Sequence, residues 1–67
     1  MYKVKWVIPK NKYFEQRQHG IEFVEENSIR EASRWAQVLV AQRLVIHAGM
    51  VRVYRCESVA ETVMEVA

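Results

Sequence analysis

The sequence predicts a small α+β domain in which a three-stranded antiparallel sheet, ordered β-β-α-β along the chain, carries one long helix on a face. Three observations predict it: a period-two run over 2–8, a capped amphipathic stretch that begins at Ser28, and a second period-two run over 50–56. A chain of 67 residues has room for one domain, and we assign residues 1–67 to it. Its hydrophobic content of 51% supplies enough apolar surface for an ordered fold.

The first strand is predicted over 2–8, where large apolar side chains alternate with two lysines and a valine. Its apolar face carries Tyr2, Val4, Trp6 and Ile8. Pro9 ends the strand, because proline has no N–H to donate to a sheet. A polar loop follows over 10–19, in which an extended conformation over 13–18 is left open.

The second strand is predicted over 21–25, after Gly20, which permits a bend or a bulge. We expect Val24, together with Val7 of the first strand, on the sheet face that points away from the helix.

A helix is predicted from Ile29 to about residue 47. Ser28 and Glu31 fit a capping box, in which the serine oxygen accepts from the amide three residues on and the glutamate reaches back. Gly49 is placed to take the left-handed conformation that commonly ends a helix. The predicted buried face is formed by Ile29, Ala32, Ala36, Leu39, Val40 and Leu44.

A rival interpretation ends this helix near Gln42 and makes 44–47 a strand that turns at Ala48 and Gly49. We prefer the long helix, because alanine is a poor residue for a tight hairpin turn.

The third strand is predicted over 50–56, where valines alternate with arginine and tyrosine. Beyond it, residues 58–66 fit either a short helix capped by Ser58 or an edge strand. Crossover connections are right-handed, so the third strand should lie beside the first. The first strand is then central, and Trp6 lies in the middle of the core.

Apolar side chains exceed what one small sheet can cover, since Trp35, Val38, Ala41 and Val45 lie off the predicted buried face of the helix. This surplus predicts either a contact surface or a C-terminal segment that folds back over it. Our leading hypothesis is a non-enzymatic protein-interaction module, such as an accessory factor, regulator or inhibitor, including those encoded by mobile elements. It would contact a protein partner or form a homodimer. The candidate interface residues are Trp35, Val38, Arg52 and Tyr54.

A basic and aromatic run near the N-terminus supports an alternative hypothesis, a nucleic-acid-binding module. Cations track phosphates while aromatic rings stack on bases, which is how single strands are held. Lys3 and Lys5 have simpler explanations, as cross-strand partners of Glu22 or as charges that prevent edge pairing. The candidate nucleic-acid-binding residues are Lys10, Lys12, Tyr13, Phe14 and Arg17. A second basic group on the third strand comprises Arg52, Tyr54 and Arg55.

No catalytic or metal site is expected. The sequence has no Asp, no His or Cys pair at ligand spacing, and no glycine-rich phosphate loop. Ser28 and Ser58 are assigned as helix caps, and Ser33 lies in mid-helix without an evident base. We therefore expect no enzyme activity, no cofactor and no small-molecule substrate.

The single cysteine, Cys56, favours a reducing compartment, and we expect a cytoplasmic protein. No stretch approaches 18 consecutive apolar residues, and the first nine residues lack the apolar centre of a signal peptide. A membrane partner is therefore not expected. The net charge of +2 is too small to identify a nucleic-acid binder by itself.

Overall fold

The computed structural model describes residues 1–59, in which three strands form one antiparallel sheet and a helix packs against it. The elements are β1 (Tyr2–Ile8), β2 (Gln18–Val24), α1 (Ile29–Leu44), a 3-10 turn (Ala48–Met50) and β3 (Arg52–Ser58). The strand order is β2-β1-β3, and both pairs are antiparallel. The predicted α+β fold and the central position of the first strand are confirmed.

The C-terminal prediction, a helix or an edge strand over 58–66, lies mostly outside the described residues. Ser58 ends β3, and Val59 donates its N–H to the carbonyl of Met1.

β1 provides the centre of the core, and its bounds are those predicted. Val4, Trp6 and Ile8 are buried, whereas the side chains between them point to the opposite face of the sheet. Trp6 and Ile8 pack with the C-terminal half of α1 and with Val51. Val4 packs with Val24 and the N-terminal half of α1.

β2 begins at Gln18, three residues before the predicted start, and its side chains face the opposite way to the prediction. Val24 is buried beside Tyr2 on the helix side of the sheet, so its predicted place on the other face is wrong. Ile21 and Phe23 are exposed, at 47% and 60% of their surface. A shift of one residue in strand alternation exchanges the two faces completely.

Gly20 explains this alternation because it lies directly opposite Trp6. A Cβ atom on Gly20 would lie 2.6 Å from Cζ2 of the indole, closer than real Cβ atoms approach. The indole occupies the place of the missing side chain, so β2 continues through Gly20 instead of bending there. With Gly20 on the helix side, every second residue of β2 faces that side, including Val24.

α1 begins as predicted, because the Ser28 hydroxyl oxygen accepts a hydrogen bond from the Glu31 N–H at 3.2 Å. It ends at Leu44, three residues before the predicted end. The helical interpretation is therefore right for Leu44 and wrong for 45–47, and the rival strand over 44–47 is wrong.

The helix ends early because Val45, instead of Gly49, takes the left-handed conformation, with φ 55° and ψ 50°. The Val45 N–H donates to the Gln42 carbonyl at 3.3 Å, and the Ile46 N–H donates to the Ala41 carbonyl at 2.9 Å. This is the Schellman pattern, in which an apolar contact commonly accompanies the turn. Here Ile46 packs against the core cluster that contains Ala41.

The buried face of α1 consists mainly of alanines, which let the helix lie close to the sheet. Ile29 and Leu39, predicted on this face, are 51% and 40% exposed. Ala41, predicted off it, is buried, because the chain after the Val45 turn covers it. The buried helical residues are Ala32, Ala36, Val40 and Ala41.

β3 runs over Arg52–Ser58, two residues further along than predicted at each end. The amides of Met50 and Val51 donate within the 3-10 turn, at 3.0 and 3.1 Å, and so are not available to the sheet.

β3 also contains a β-bulge, which the sequence analysis did not predict. Lys5 pairs with Arg55 and Trp6 pairs with Val53, so Tyr54 is an extra residue between them.

We predict that Gly20→Ala lowers the free energy of unfolding by about 1–3 kcal/mol, the usual cost of overpacking a core. Urea unfolding followed by circular dichroism measures the change. Gly49→Ala is the matched control, because a Cβ atom there meets nothing within 4 Å. It should leave stability unchanged or raise it. Equal effects of the two substitutions would show that the Trp6 contact is unimportant.

We predict that Val45→Gly raises the free energy of unfolding by about 1 kcal/mol. A residue with a Cβ atom incurs a steric cost in the left-handed conformation, and glycine does not. The Val45 side chain is 90% exposed, so little packing is lost. Val45→Ala keeps a Cβ atom and should gain less. A lower urea midpoint for the glycine variant than for the wild type would contradict the prediction.

Candidate functional site

The sheet face that points away from α1, here called the open face, is the main candidate site. The strand register aligns its side chains in three rows across β2, β1 and β3. The rows are Phe23–Lys3–Glu57, Ile21–Lys5–Arg55 and His19–Val7–Arg52. Tyr54 adds a side chain at the bulge and is 62% exposed.

The two simpler explanations of Lys3 and Lys5 are not supported by the geometry. Glu22 pairs with Val4 on the other face and forms an ion pair with Arg43, so it is not a partner of either lysine. Because β1 is the central strand, its lysines do not protect a sheet edge.

Positive charge is concentrated on the open face. Lys5 lies directly opposite Arg55, and like charges in this position destabilise a sheet. Glu57 partly offsets them, since its carboxylate lies 3.3 Å from the Arg55 guanidinium. Within residues 1–59, five cations on or beside this face stand against that one carboxylate, a balance of +4, whereas the rest of these residues carry five cations and five glutamates and so have no net charge. The five cations are Lys3, Lys5, Arg17, Arg52 and Arg55.

A hollow of about 320 Å³ opens beside the bulge. Val7, Arg17, His19 and Tyr54 line it, and these four include no carboxylate. An aromatic ring, an apolar side chain and two nitrogen-bearing groups thus share one concavity.

The bulge decides which residues of β3 reach the open face. If β3 were regular with Lys5 opposite Arg55, Tyr54 would lie beside Trp6 and Arg52 beside Ile8, both on the helix side. The bulge instead puts Val53 beside Trp6 and brings Arg52 and Tyr54 to the open face, where Arg55 already lies opposite Lys5.

The structure places the predicted nucleic-acid-binding residues of the run over 10–17 in different surroundings, so they do not form one site. Phe14 is partly buried against the core cluster around Trp6. The Lys12 ammonium lies 5.1 Å from the centre of the Tyr13 ring, which is 58% exposed. Arg17 alone lines the hollow of the open face.

Lys10, the remaining member of that run, lies near Arg52. Both line a shallow depression of about 170 Å³ at the Pro9 end of the sheet.

The predicted protein-interface residues also divide between two surfaces. Arg52 and Tyr54 belong to the open face, whereas Trp35 and Val38 lie on α1, which packs on the other side of the sheet. Trp35 is 48% exposed, and Leu39, one turn further along, is 40% exposed.

A groove of about 520 Å³ lies beside the C-terminal half of α1. Val38, Val45 and Ile46 line it, together with Tyr13 from the loop after β1.

Sequence reasoning missed most of the open face. It gave structural roles to Lys3 and Lys5, and it assigned no role in binding to Phe23 or His19. The signal that could have found them is strand alternation, once Gly20 is recognised as the residue that faces Trp6.

The described residues offer little for metal or thiol chemistry. No group of three or more His, Cys, Asp or Glu side chains within residues 1–59 could hold a metal ion. Cys56 is half-buried, with its Sγ atom 3.9 Å from the Ile29 carbonyl oxygen. In the same part of the chain, no helix is long and apolar enough to cross a membrane.

Comparison with protein-family models, curated proteins and solved structures finds no match to this chain.

Proposed function

We propose that this chain is a non-enzymatic nucleic-acid-binding module and that the open face of its sheet is the contact surface. The observation that carries the proposal is the direct pairing of Lys5 with Arg55 on that face. The pairing costs folding free energy, and a polyanion that lies across the sheet would compensate for it.

The surroundings of this pair fit a phosphate backbone. Lys3 and Arg52 lie in the rows on either side, so cations extend along the sheet instead of forming one point charge. Lysine and arginine amines neutralise phosphates and release their counterions, which drives binding to nucleic acids.

Exposed rings among these cations favour nucleic acid over an acidic protein surface. Phe23 and Tyr54 are both about three-fifths exposed, on strands that flank the lysines of β1. A polyanion that carries flat bases can use the charges and the rings together.

Self-association through α1 is a second candidate function, favoured by the exposure of Trp35 and Leu39 one turn apart. It does not compete with the open face for residues, because the helix lies on the other side of the sheet. A cytoplasmic location belongs to both proposals and is supported by the free thiol of Cys56.

We predict that Arg55→Gln weakens the binding of short fluorescein-labelled oligonucleotides, measured by fluorescence anisotropy between about 50 and 200 mM salt. The slope of log K against log salt should fall in magnitude by about one, as expected for one lost phosphate contact. Lys5→Gln should act similarly. Thermal stability should not fall in Lys5→Gln, because it removes a like-charge contact, and should change little in Arg55→Gln, which removes the same contact but also the exposed ion pair with Glu57.

Arg34→Gln is the matched control, since it removes the same charge from an exposed position on α1. It should leave the salt slope unchanged. Absence of binding by the wild type at low salt would contradict the proposal, and so would equal losses for Arg34→Gln and Arg55→Gln.

We predict that the chain forms a homodimer in solution and that Trp35→Ala converts it to a monomer without unfolding it. The reason is that about half of the indole surface is exposed and its apolar neighbours are available to a second copy. Light scattering measures the mass, and circular dichroism measures the fold. Phe23→Ala, an exposed ring on the opposite side, should retain the wild-type mass. A monomeric wild type would remove this second candidate.

A further inference from the structure

We propose that the hollow lined by Val7, Arg17, His19 and Tyr54 is a subsite for one nucleotide of a single strand. The Tyr54 ring would stack on the base, and Arg17 with His19 would contact the adjoining phosphate. This inference rests on the proposed function of the open face and specifies which form of nucleic acid that face accepts.

The bulge gives the first argument, because it turns Tyr54 out of the core. In a regular strand this residue would face α1 beside Trp6, yet it is 62% exposed and forms a wall of the hollow. β-Bulges are known to redirect a side chain at functional sites, where they aim it at a ligand.

The size and chemistry of the hollow give the second argument. A volume of about 320 Å³ corresponds to roughly ten water molecules, enough for one nucleobase and part of its sugar. Val7 and Tyr54 provide apolar and aromatic surface for the base. Arg17 provides a guanidinium, which matches the geometry of a phosphate with two parallel hydrogen bonds. The described lining offers no carboxylate to repel that phosphate.

The need for an unpaired base gives the third argument. In a duplex, both faces of every base are stacked on neighbouring base pairs, so an aromatic side chain cannot lie against them without opening the helix. A single strand presents its bases to rings at no such cost, and it does so largely independently of sequence.

The rest of the open face extends the binding surface for the single strand beyond the hollow. The Val7 row and the Lys3 row are four residues apart on β1, or about 13 Å at the usual rise of a strand. The Lys5 and Arg55 pair lies between them, and exposed Phe23 lies at the far end. A few nucleotides can therefore lie between the two rings with their phosphates along the cations.

The test compares oligo(dT), oligo(U) and a blunt duplex of equal length, each labelled with fluorescein, by anisotropy at low salt. We expect either single strand to bind at least about fivefold more tightly than the duplex, since one base–aromatic stack contributes that much or more. Tyr54→Ala should weaken single-strand binding by about 5- to 150-fold, the range for loss of one such stack, and should leave the salt slope unchanged. Tyr54→Phe should retain binding.

Tyr13→Ala is the matched control, because Tyr13 is also a well-exposed tyrosine but lies on the loop after β1, away from the hollow. It should leave the affinity unchanged. Poly-glutamate with the same total charge as the oligonucleotide should displace the labelled single strand poorly, because it lacks bases.

The possible failures are distinguishable. If neither the single strands nor the duplex bind, the proposed function fails and the subsite fails with it. If both bind equally and Tyr54→Ala changes neither affinity, nucleic-acid binding stands and the subsite is wrong. A loss caused by Tyr13→Ala but not by Tyr54→Ala would overturn the subsite by placing the stack on the loop. Equally effective competition by poly-glutamate would overturn it by showing that the face recognises charge alone.

Discussion

The packing of the Trp6 indole on Gly20 is the contact on which the arrangement of the sheet depends. Trp6 lies on the central strand and joins the core cluster that includes Ile8 and the end of α1. No other residue type would leave room for the ring at position 20, so β2 is held in one register against β1. The contact carries a cost, since the buried indole N–H has no acceptor among the described residues. Burial of the large ring offsets that cost.

The composition of the open face follows from this register. Because Gly20 faces α1, Val24 also faces α1 and is buried, while Phe23 points to the opposite side beside Lys3. A sheet with one covered face usually alternates apolar inward residues with polar outward ones. β2 departs from that rule, since its outward face is apolar and aromatic. These outward apolar and aromatic residues of β2 lie beside the lysines of β1. The combination of rings and cations distinguishes the face from an ordinary solvated surface.

The sequence was sufficient to predict the elements that local chemistry determines. The alternation of β1 with the proline after it placed both ends of that strand correctly, and the capping serine placed the start of α1, because proline exclusion and capping hydrogen bonds act over a few residues. The early end of α1 was not predictable in this way, since it needs a strained Val45 that Ile46 compensates by packing in the core. The facing of β2 also depends on a contact between different strands. The part of the candidate site on β1 and β2 was missed for the same reason, because its residues meet those of β3 only through strand register.

The bulge at Tyr54 shows why the core and the site are not independent. Val53 fills the core beside Trp6, whereas a tyrosine there would have to fit a larger ring and a polar hydroxyl between the sheet and the helix. The bulge resolves this by moving Tyr54 outward. The same backbone shift keeps Arg52 away from the apolar core, while Arg55 stays opposite Lys5. The side-chain packing that stabilises the helix side therefore adds Arg52 and Tyr54 to the open face, beside the like-charge pair. A polyanion that lay across these cations would stabilise the bulged register as a consequence of binding, because the bulge places Arg52 in the row next to the pair.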